Sequence, residues 1–359
     1  MSKIPVVEVM MNGAKVGRIA LTPNGLCAFE YDAEWLASGP SISPYYLPLR
    51  REVFVAKRAP FRGNFGVFDD SLPDGWGSLV LDRYLRSQGE DPARLTALQR
   101  LALVGSTGRG ALEYRPDRSA VSAEAAVDLD KLAAEAEKIL TTEYTGVGLD
   151  ELYQYAGSSG GARPKVFVKI DGREWLVKFR ASTDRPDAGE IEYRYSLLAK
   201  KCGIKMPETR LFEGKYFGVE RFDRTTDGKI HTVSAAGLLH ANYREPSLDY
   251  SGLLKLCLNL TRNMEQVYAL FRQMVFNVLI KNRDDHAKNF SFQLIGDEWR
   301  LSPAYDLLPS DGFNGYHTTT VNGSGEPSEK DMLAVADEVG LSRSRAMEVI
   351  EEIKNLSFG

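Results

Sequence analysis

Cysteine is scarce in this sequence, and the three cysteines that occur are far apart. Cys27, Cys202 and Cys257 form no CxxC pair, which excludes a disulfide framework and a cysteine-based zinc site. Widely spaced, unpaired cysteines are typical of proteins in a reducing compartment. The N-terminal residues also lack the basic stretch, apolar segment and cleavage site of a secretory leader. We therefore expect a cytoplasmic protein.

Long apolar runs and an excess of positive charge are also absent. No window contains the roughly 18 uninterrupted apolar residues that a membrane helix needs, so we expect no membrane association. The 45 Lys and Arg residues are outnumbered by 49 Asp and Glu, which gives a formal net charge of -4. Because phosphate binding needs a basic face, the composition gives no reason to expect that the chain alone holds DNA or RNA. A local basic patch remains open.

The order of patterns along the 359 residues indicates two or three packed subdomains, because one small core cannot take up a chain of this length. Residues 1–118 start with strand-like alternation and end in helical spacing. Residues 119–235 contain a polar linker, an amphipathic helix and several short β-rich runs, and residues 236–359 are mainly helical. We predict an α+β, two-lobed fold: a β-rich lobe with an extra N-terminal subdomain, and an all-helical C-terminal lobe.

A β-hairpin with a projecting lysine is predicted in the middle segment. The runs VFVKI and WLVKF flank Asp171-Gly172, a dipeptide that favours the tight turn of a hairpin. Alternation in WLVKF puts its aromatic residues and valine on one face and Lys178 on the other. Such a lysine resembles the one on the ATP phosphates of protein kinases. Its predicted partner is Glu192, with Glu190 as the alternate; a solvent-facing lysine and a surface glutamate are the commoner alternatives.

A glycine-rich stretch precedes this hairpin, as expected of a loop that covers phosphates. It contains neither the GK[ST] of a Walker A loop nor GxGxxG, so a plain flexible turn explains the motif equally well. Backbone N–H groups of a glycine-rich loop can approach a phosphate closely because no side chain intervenes. The candidate nucleotide-binding residues of this loop are Ser158, Ser159, Gly160 and Gly161.

The most informative pattern is the segment from Asp284 to Asn289, at the end of an apolar helix. These residues are five positions apart, as aspartate and asparagine are in the kinase catalytic loop HRDxxxxN. The following residues, FSFQLI, Gly296-Asp297 and EWRLS, predict a hairpin that leads to Asp306, the route by which the DFG aspartate arrives. Asp284 would orient a substrate hydroxyl, and Asn289 and Asp306 would hold Mg²⁺. A polar loop with two capping aspartates is the alternative.

The other polar candidates are better explained without a ligand. Three histidines lack metal-ligand spacing, and we expect them to be satisfied surface or core residues: His231, His240 and His317. Three aspartates fall in a predicted turn around a proline and a glycine, and we do not interpret them as a metal site: Asp69, Asp70 and Asp74.

These motifs together resemble the HipA family of bacterial type II toxin–antitoxin kinases, over nearly the whole chain. The segments that carry the resemblance are FDDSLPDGWGSLVLDRYL, LVGSTGRGALEY, SSGGARPKV, WLVKF, GVERFDR, NRDDHAKNFSF and LSPAYDLLP. The resemblance implies a two-lobed kinase fold and serine/threonine protein kinase activity with ATP and Mg²⁺. By position, Asp284 matches the catalytic aspartate, Lys178 the phosphate lysine, and Asn289 and Asp306 the magnesium ligands.

Further roles are implied by the same resemblance. His286 would lie beside the nucleotide, and Glu220 and Phe222 would lie at the adenine-binding hinge. Ser158 matches the loop serine that family members autophosphorylate, which expels the loop and switches the enzyme off; Ser159 is a near alternative. Two departures from the family are a short helical end after Asp306 and a more glycine-rich loop.

The resemblance also implies partners: a small helix-turn-helix antitoxin of HipB type, DNA only through that antitoxin, and an aminoacyl-tRNA synthetase or another translation factor as the protein substrate. Growth arrest and persistence would follow from such a modification. Two other readings remain open at this point. The chain could be a catalytically silent nucleotide-binding partner of an antitoxin, or a small-molecule kinase.

Overall fold

The computed structural model describes residues 2–120, 127–140, 148–156, 159–312 and 314–358. The chain divides into two compact units, and the last boundary, between His231 and Thr232, falls within a strand. Unit 1 consists of Met1–Glu190 and Thr209–His231, and unit 2 of Ile191–Glu208 and Thr232–Gly359. The division predicted from sequence, at residues 118 and 235, stays a prediction. None of the described helices has the length and apolar character needed to cross a bilayer.

An antiparallel five-stranded sheet forms the first part of unit 1. Its strands are β1 (Val6–Met11), β2 (Ala14–Leu21), β3 (Cys27–Tyr31), β4 (Phe54–Val55) and β5 (Leu112–Arg115), in the order β4-β3-β2-β1-β5. The helices of this part are α1 (Ala33–Ser38), α2 (Gly66–Asp69), α3 (Gly75–Ser87) and α4 (Ala97–Val104). A turn at Asn24-Gly25 joins β2 to β3, and Gly25 there has a φ of +75°, which a glycine adopts without strain.

A second sheet of four strands completes unit 1. This part contains α5 (Leu129–Ile139), α6 (Leu149–Ala156), β6 (Lys165–Ile170), β7 (Arg173–Lys178), β8 (Thr209–Phe212), β9 (Tyr216–Glu220), β10 (Arg224–Thr225) and β11 (Gly228–Lys229). The sheet order is β6-β7-β9-β8. The predicted hairpin is confirmed: Asp171 and Gly172 have φ values of +52° and +77° between β6 and β7. Trp175, Val177 and Phe179 are buried against α3, α5 and α6, as their alternation predicts.

A buried ionic network holds the segment after α4 to the residues that follow β9. Asp223 is 5% exposed and pairs with Arg221 and Arg224, both at 2.9 Å. The two guanidinium groups also donate to the carbonyl oxygens of Gly108 and Gly110, and the Gly110 N–H donates to Asp223 at 2.7 Å. Burial alone would raise the pKa of Asp223, but the two arginines outweigh burial and hold that pKa well below its usual range.

Unit 2 is mainly helical. Its elements are α7 (Ala188–Lys201, which begins in unit 1), β12 (His231–Ser234, whose first residue belongs to unit 1), α8 (Ala235–Leu239), β13 (Leu248–Asp249), α9 (Tyr250–Thr261), α10 (Met264–Ile280), β14 (Ser291–Ile295), β15 (Glu298–Leu301), β16 (Thr319–Thr320), α11 (Glu329–Glu338) and α12 (Arg343–Phe358). The apolar helix predicted to end before Asp284 is confirmed as α10, in whose first three turns Val267, Phe271 and Val275 are fully buried. These residues recur at intervals of four, which keeps them on one face of the helix.

One detail of the predicted fold needs correction, because the second half of the chain is not all-helical. β12, β14 and β15 form a three-stranded sheet, and β13 pairs in parallel with β16. The β14–β15 hairpin follows from the sequence, since it turns at Gly296, whose φ is +61°. β12 was not recognised as part of a sheet with this hairpin, because the pairing joins residues about 60 positions apart and no local pattern encodes it.

Candidate active site

The end of α10 sets the path of the candidate catalytic loop. Lys281 adopts the left-handed conformation at φ +58°, which ends the helix and turns the chain. The loop then closes on itself, because Asn289 Nδ2 donates to the main-chain oxygen of Asp284 at 2.7 Å. The structure therefore brings together the two residues whose five-residue spacing singled them out. Asp284 is exposed and Asn289 is buried, so the aspartate has the access to a substrate that its predicted role requires.

Asp285 anchors this loop to the core of unit 2, although no motif in the sequence singles it out. Its side chain is fully buried and accepts hydrogen bonds from the Tyr250 hydroxyl and from His317 Nδ1, both at 2.9 Å. The backbone N–H groups of Thr318 and Thr319 donate to its other oxygen at 2.9 and 3.2 Å. Four donors thus satisfy one buried carboxylate. The expectation that His317 is a satisfied histidine is confirmed, since it is 5% exposed and bonded to Asp285.

Asn282 connects the catalytic loop to the segment of Asp306. Its amide nitrogen donates to the Asp306 carbonyl oxygen at 2.9 Å and to Asn277 Oδ1 at 3.0 Å. Asp306 itself has a φ of +55°, a left-handed conformation that is uncommon for a residue with a side chain. The hydrogen bond to its carbonyl helps to hold the chain in that conformation, and so fixes the direction in which the carboxylate leaves the backbone.

Tyr305 forms a second connection between the same two segments. Its hydroxyl donates to the Lys288 carbonyl oxygen at 2.6 Å and is 2.6 Å from Ser291 Oγ. Lys288 precedes Asn289 in sequence and Ser291 follows it, so Tyr305 forms hydrogen bonds to residues on both sides of Asn289. The two predicted magnesium ligands therefore belong to segments that are tied together by side-chain hydrogen bonds.

The donor chemistry of these two residues fits Mg²⁺. Asn289 uses its amide nitrogen on the Asp284 carbonyl, which leaves the amide oxygen as its ligand atom, and Asp306 supplies a carboxylate. Mg²⁺ takes oxygen ligands and is commonly held by one or two carboxylates, waters and substrate phosphates. Among the described residues, no group of three or more His, Cys, Asp or Glu side chains is placed to hold a metal ion, so the protein alone would supply only part of such a coordination sphere.

Lys178 lies in unit 1, at the end of β7. It is half-buried, and its ammonium group is 5.7 Å from the centre of the Phe217 ring on β9. Lys165 of β6 is directly opposite Lys178 in the antiparallel register and is only 6% exposed. Residues directly opposite in a sheet share one face. Two cations on one face favour an anion there, and Lys165 is a candidate that the sequence analysis did not select.

The remaining predicted residues are distributed over both units. Glu192 is a buried residue of α7 in unit 2, whereas Glu190 belongs to unit 1, so the pairing of either with Lys178 stays a prediction. Glu220 ends β9 and pairs with Arg173 at 3.3 Å, and Phe222 lies in the turn that follows. His286 caps a short 3-10 helix (Ala287–Asn289), where its Nδ1 accepts from the Lys288 N–H at 3.2 Å.

The glycine-rich loop is described from Ser159 onward, and Ser158 lies outside the described residues. Ser159 is 1% exposed, and none of the described residues forms a hydrogen bond with its hydroxyl. The Gly161 carbonyl oxygen accepts from the N–H of Trp76, at the start of α3. Asp74, placed in a turn by the sequence analysis, is the residue that precedes this helix.

Comparisons with known proteins agree with the fold. The protein-family model of the HipA-like C-terminal domain matches residues 157–357, and the family model of the HipA N-terminal domain matches residues 7–115. The chain belongs to the HipA family. This HipA-family chain is 26% identical over 336 residues to "Putative kinase Y4dM" of Sinorhizobium fredii, and 28% identical over 341 residues to "Putative kinase Y4mE" of the same organism. The alignments span 86% and 85% of this chain, and 78% and 77% of those proteins.

A solved structure shares the fold of this HipA-family chain. It is the complex of HipA and HipB with operator DNA from the toxin–antitoxin system of Shewanella oneidensis MR-1, with a TM-score of 0.73 and 19% sequence identity. The match covers 97% of this chain and 88% of that chain. The chain therefore has the HipA-type, kinase-like α+β fold, as the resemblance predicted.

Sequence reasoning missed three side chains that position the candidate site: Asp285, Asn282 and Tyr305. Two signals pointed to them. Asn277 is a polar residue inside an otherwise apolar helix, and it links Tyr250 to Asn282 at 3.0 Å on each side. The aspartate doublet at 284 and 285 was the other signal, because it puts two carboxylates at one point of the loop; only the structure shows that Asp285 is the buried one.

Proposed function

We propose that this HipA-family chain is an ATP- and Mg²⁺-dependent serine/threonine protein kinase. The observation that carries the proposal is the linked arrangement in unit 2. Asp284 and Asn289 are joined by a hydrogen bond, and the Asp306 segment is tied to the same loop through Asn282 and Tyr305. Phosphoryl transfer depends mostly on positioning and charge stabilisation, and this arrangement holds the groups that it requires.

Each residue has a distinct role in the proposed reaction. The Asp284 carboxylate accepts a hydrogen bond from the hydroxyl of a serine or threonine substrate and orients it towards the γ-phosphoryl group. Asn289 and Asp306 hold Mg²⁺, which would neutralise charge on the phosphates. Lys178 and Lys165 contact the phosphates, Glu220 and Phe222 bind the adenine, and Glu192 is the proposed partner of Lys178. His286 lies beside the nucleotide.

The proposed partners follow from the family. The matched Shewanella complex contains HipA, HipB and operator DNA, which supports a helix-turn-helix antitoxin as the partner of this chain and DNA contact through it. A translation protein of the aminoacyl-tRNA synthetase type is the proposed substrate, and Ser158, with Ser159 as the alternative, is the proposed autophosphorylation site. Phosphoproteomics after a short induction, comparing the wild type with Asp284→Ala, would identify the substrate.

The direct test is phosphoryl transfer by purified protein with labelled ATP and Mg²⁺. We expect Asp284→Ala and Asp306→Ala each to reduce transfer by about 10³-fold or more, as loss of a proton-orienting group or metal ligand does. Asp284 is exposed, so its replacement leaves the fold intact, which the thermal melting curve checks. Asp297→Ala, in the exposed β14–β15 turn, is the control. Near-wild-type transfer by either site variant would refute the assigned roles.

A further inference from the structure

The first turn of α3 forms a seat for the glycine-rich loop, within unit 1. The Gly161 N–H donates to Asp74 Oδ1, and the Gly161 carbonyl oxygen accepts from the Trp76 N–H at 2.8 Å. The N–H and the carbonyl oxygen of Gly161 are therefore bound by Asp74, which precedes α3, and by Trp76, which lies in its first turn. The other end of the loop is held as well, because Trp76 Nε1 donates to the Lys165 carbonyl oxygen at 2.9 Å.

Two glycines make this close approach possible. A Cβ atom at Gly75 would come within 3.0 Å of the Gly161 carbonyl oxygen, and a Cβ atom at Gly77 would come equally close to the Ser159 carbonyl oxygen. Real Cβ atoms do not tolerate such contacts with backbone. The DGWG sequence at the start of α3 thus provides the acceptor, the donors and the free space that the loop needs.

The Asp74 carboxylate accepts a hydrogen bond from the Gly161 N–H, and anion-binding loops use such backbone N–H groups to bind phosphate. A carboxylate on a backbone N–H makes a charge-assisted hydrogen bond, and a phosphate oxygen makes the same interaction with such loops. Both anions cannot use one N–H at once. A phosphate brought to Gly161 would in addition meet the negative charge of Asp74, which raises the cost of sharing the site.

We propose that Asp74 latches the glycine-rich loop to α3 and competes with the phosphates of ATP for the Gly161 N–H. This inference rests on the proposed kinase function. Nucleotide binding through the loop then requires the Gly161 N–H to leave Asp74 while the loop still covers the phosphates, which differs from the expulsion of the phosphorylated loop that the family resemblance implies. The apparent dissociation constant for ATP is the intrinsic one divided by the fraction of molecules with the loop released. Weakening the latch tightens ATP binding.

The charge of the latch is tested with Asp74→Asn in the full chain. Asparagine keeps the shape and the acceptor oxygen but removes the negative charge. We expect ATP·Mg²⁺ to bind about fivefold more tightly, measured by isothermal titration calorimetry. Asp91→Asn is the matched control, because Asp91 also precedes a short helix of unit 1 and accepts a backbone hydrogen bond, from Ala93 at 3.0 Å. Unchanged or weaker binding by Asp74→Asn overturns the proposal.

The seat itself is tested with Gly77→Ala. The added methyl group collides with the Ser159 carbonyl oxygen, so the loop is displaced without any change of charge. Gly252→Ala is the matched control, because Gly252 is also the third residue of a helix, α9, and a Cβ atom there meets nothing within 4 Å. We expect tighter ATP binding and faster amide hydrogen exchange of residues 159–165 for Gly77→Ala, and neither for Gly252→Ala.

Two readouts separate this proposal from the proposed function. If the wild type and all variants fail to bind ATP, the kinase function is wrong and the competition fails with it. If all bind ATP equally, the kinase function survives and the latch is overturned. Faster exchange of the loop in Asp74→Asn together with tighter ATP binding supports the latch, and slower exchange or unchanged exchange in that variant contradicts it.

Discussion

The catalytic loop of unit 2 and the glycine-rich loop of unit 1 are held by different means. Asp285 fixes the catalytic loop from inside, through a fully buried carboxylate with four donors. The glycine-rich loop is held from outside, by the first turn of α3 and the exposed hydrogen bond between Gly161 and Asp74. A buried anchor costs several kcal/mol to break, whereas an exposed contact costs far less. The difference indicates a fixed catalytic loop and a releasable phosphate loop.

The largest effect is expected when the buried anchor, Asp285, is replaced. Asp285→Asn puts an amide NH₂ group against donors that required an acceptor. We expect the free energy of unfolding to fall by about 4 kcal/mol, with loss of phosphoryl transfer. Urea denaturation measures the change. Asp297→Asn, an exposed aspartate of the same unit, is the control and should stay within about 0.5 kcal/mol of the wild type. Equal stability of both variants would contradict the role of Asp285 as an anchor.

Each unit also buries a histidine, and the two histidines have different partners. His317 of unit 2 faces the carboxylate of Asp285, whereas His231 of unit 1 is bonded to the Ile42 carbonyl oxygen at 2.9 Å. Burial lowers the pKa of His231 from 6.5 to about 4, against the smaller opposing effect of that carbonyl. The folded state therefore binds fewer protons than the unfolded state between these two values, and its stability falls as the pH falls from 6.5 to 4.

The pH effect of His231 is expected to reach about 3 kcal/mol at pH 4, since each unit of pKa difference corresponds to about 1.4 kcal/mol. His231→Gln keeps a donor for Ile42 but has no proton to gain, so it should lose less stability than the wild type between pH 7 and pH 4. Denaturation curves at several pH values test this. The control is His240→Gln, at the end of α8. Parallel pH profiles of the wild type and His231→Gln would contradict the expectation.

The smallest effect on stability and activity is expected from Tyr305, which connects the Asp306 segment to the catalytic loop in unit 2. Tyr305→Phe removes the hydroxyl that bonds to Lys288 and Ser291. We expect about 1–2 kcal/mol lower stability and a fall in kcat of roughly tenfold, because Asp306 and Asn289 lose their alignment. The KM for ATP should change less than kcat. Tyr316→Phe, 55% exposed, is the control, and an unchanged kcat in Tyr305→Phe would show that the connection is dispensable.

Local sequence patterns predicted those parts of the site whose conformation depends on interactions between residues close in sequence. Asp171-Gly172 predicts its hairpin because both residues tolerate positive φ, and alternation around Lys178 follows from the pleat of a strand. The spacing of Asp284 and Asn289 is closed by one short-range hydrogen bond. In each case the determining interactions lie within a few residues.

The parts that could not be predicted depend on distant segments. Asp285 is satisfied by Tyr250, 35 positions before it, and by residues more than 30 positions after it; sequence alone does not distinguish it from its exposed neighbour. The hydrogen bond between Asp74 and Gly161 joins residues 87 positions apart. Two glycines near an aspartate predict a turn, and nothing local reveals what lies against it.

The ionic network around Asp223 has a practical consequence for dividing the protein. A fragment that starts at residue 157, where the C-terminal domain match begins, would lack Gly108 and Gly110 and the backbone groups that receive Arg221 and Arg224. The buried charges of Arg221, Arg224 and Asp223 would then be exposed to water. Trp76, which bonds to the start of β6, would also be missing. We expect this fragment to be poorly soluble, so the two family domains are best expressed as one polypeptide.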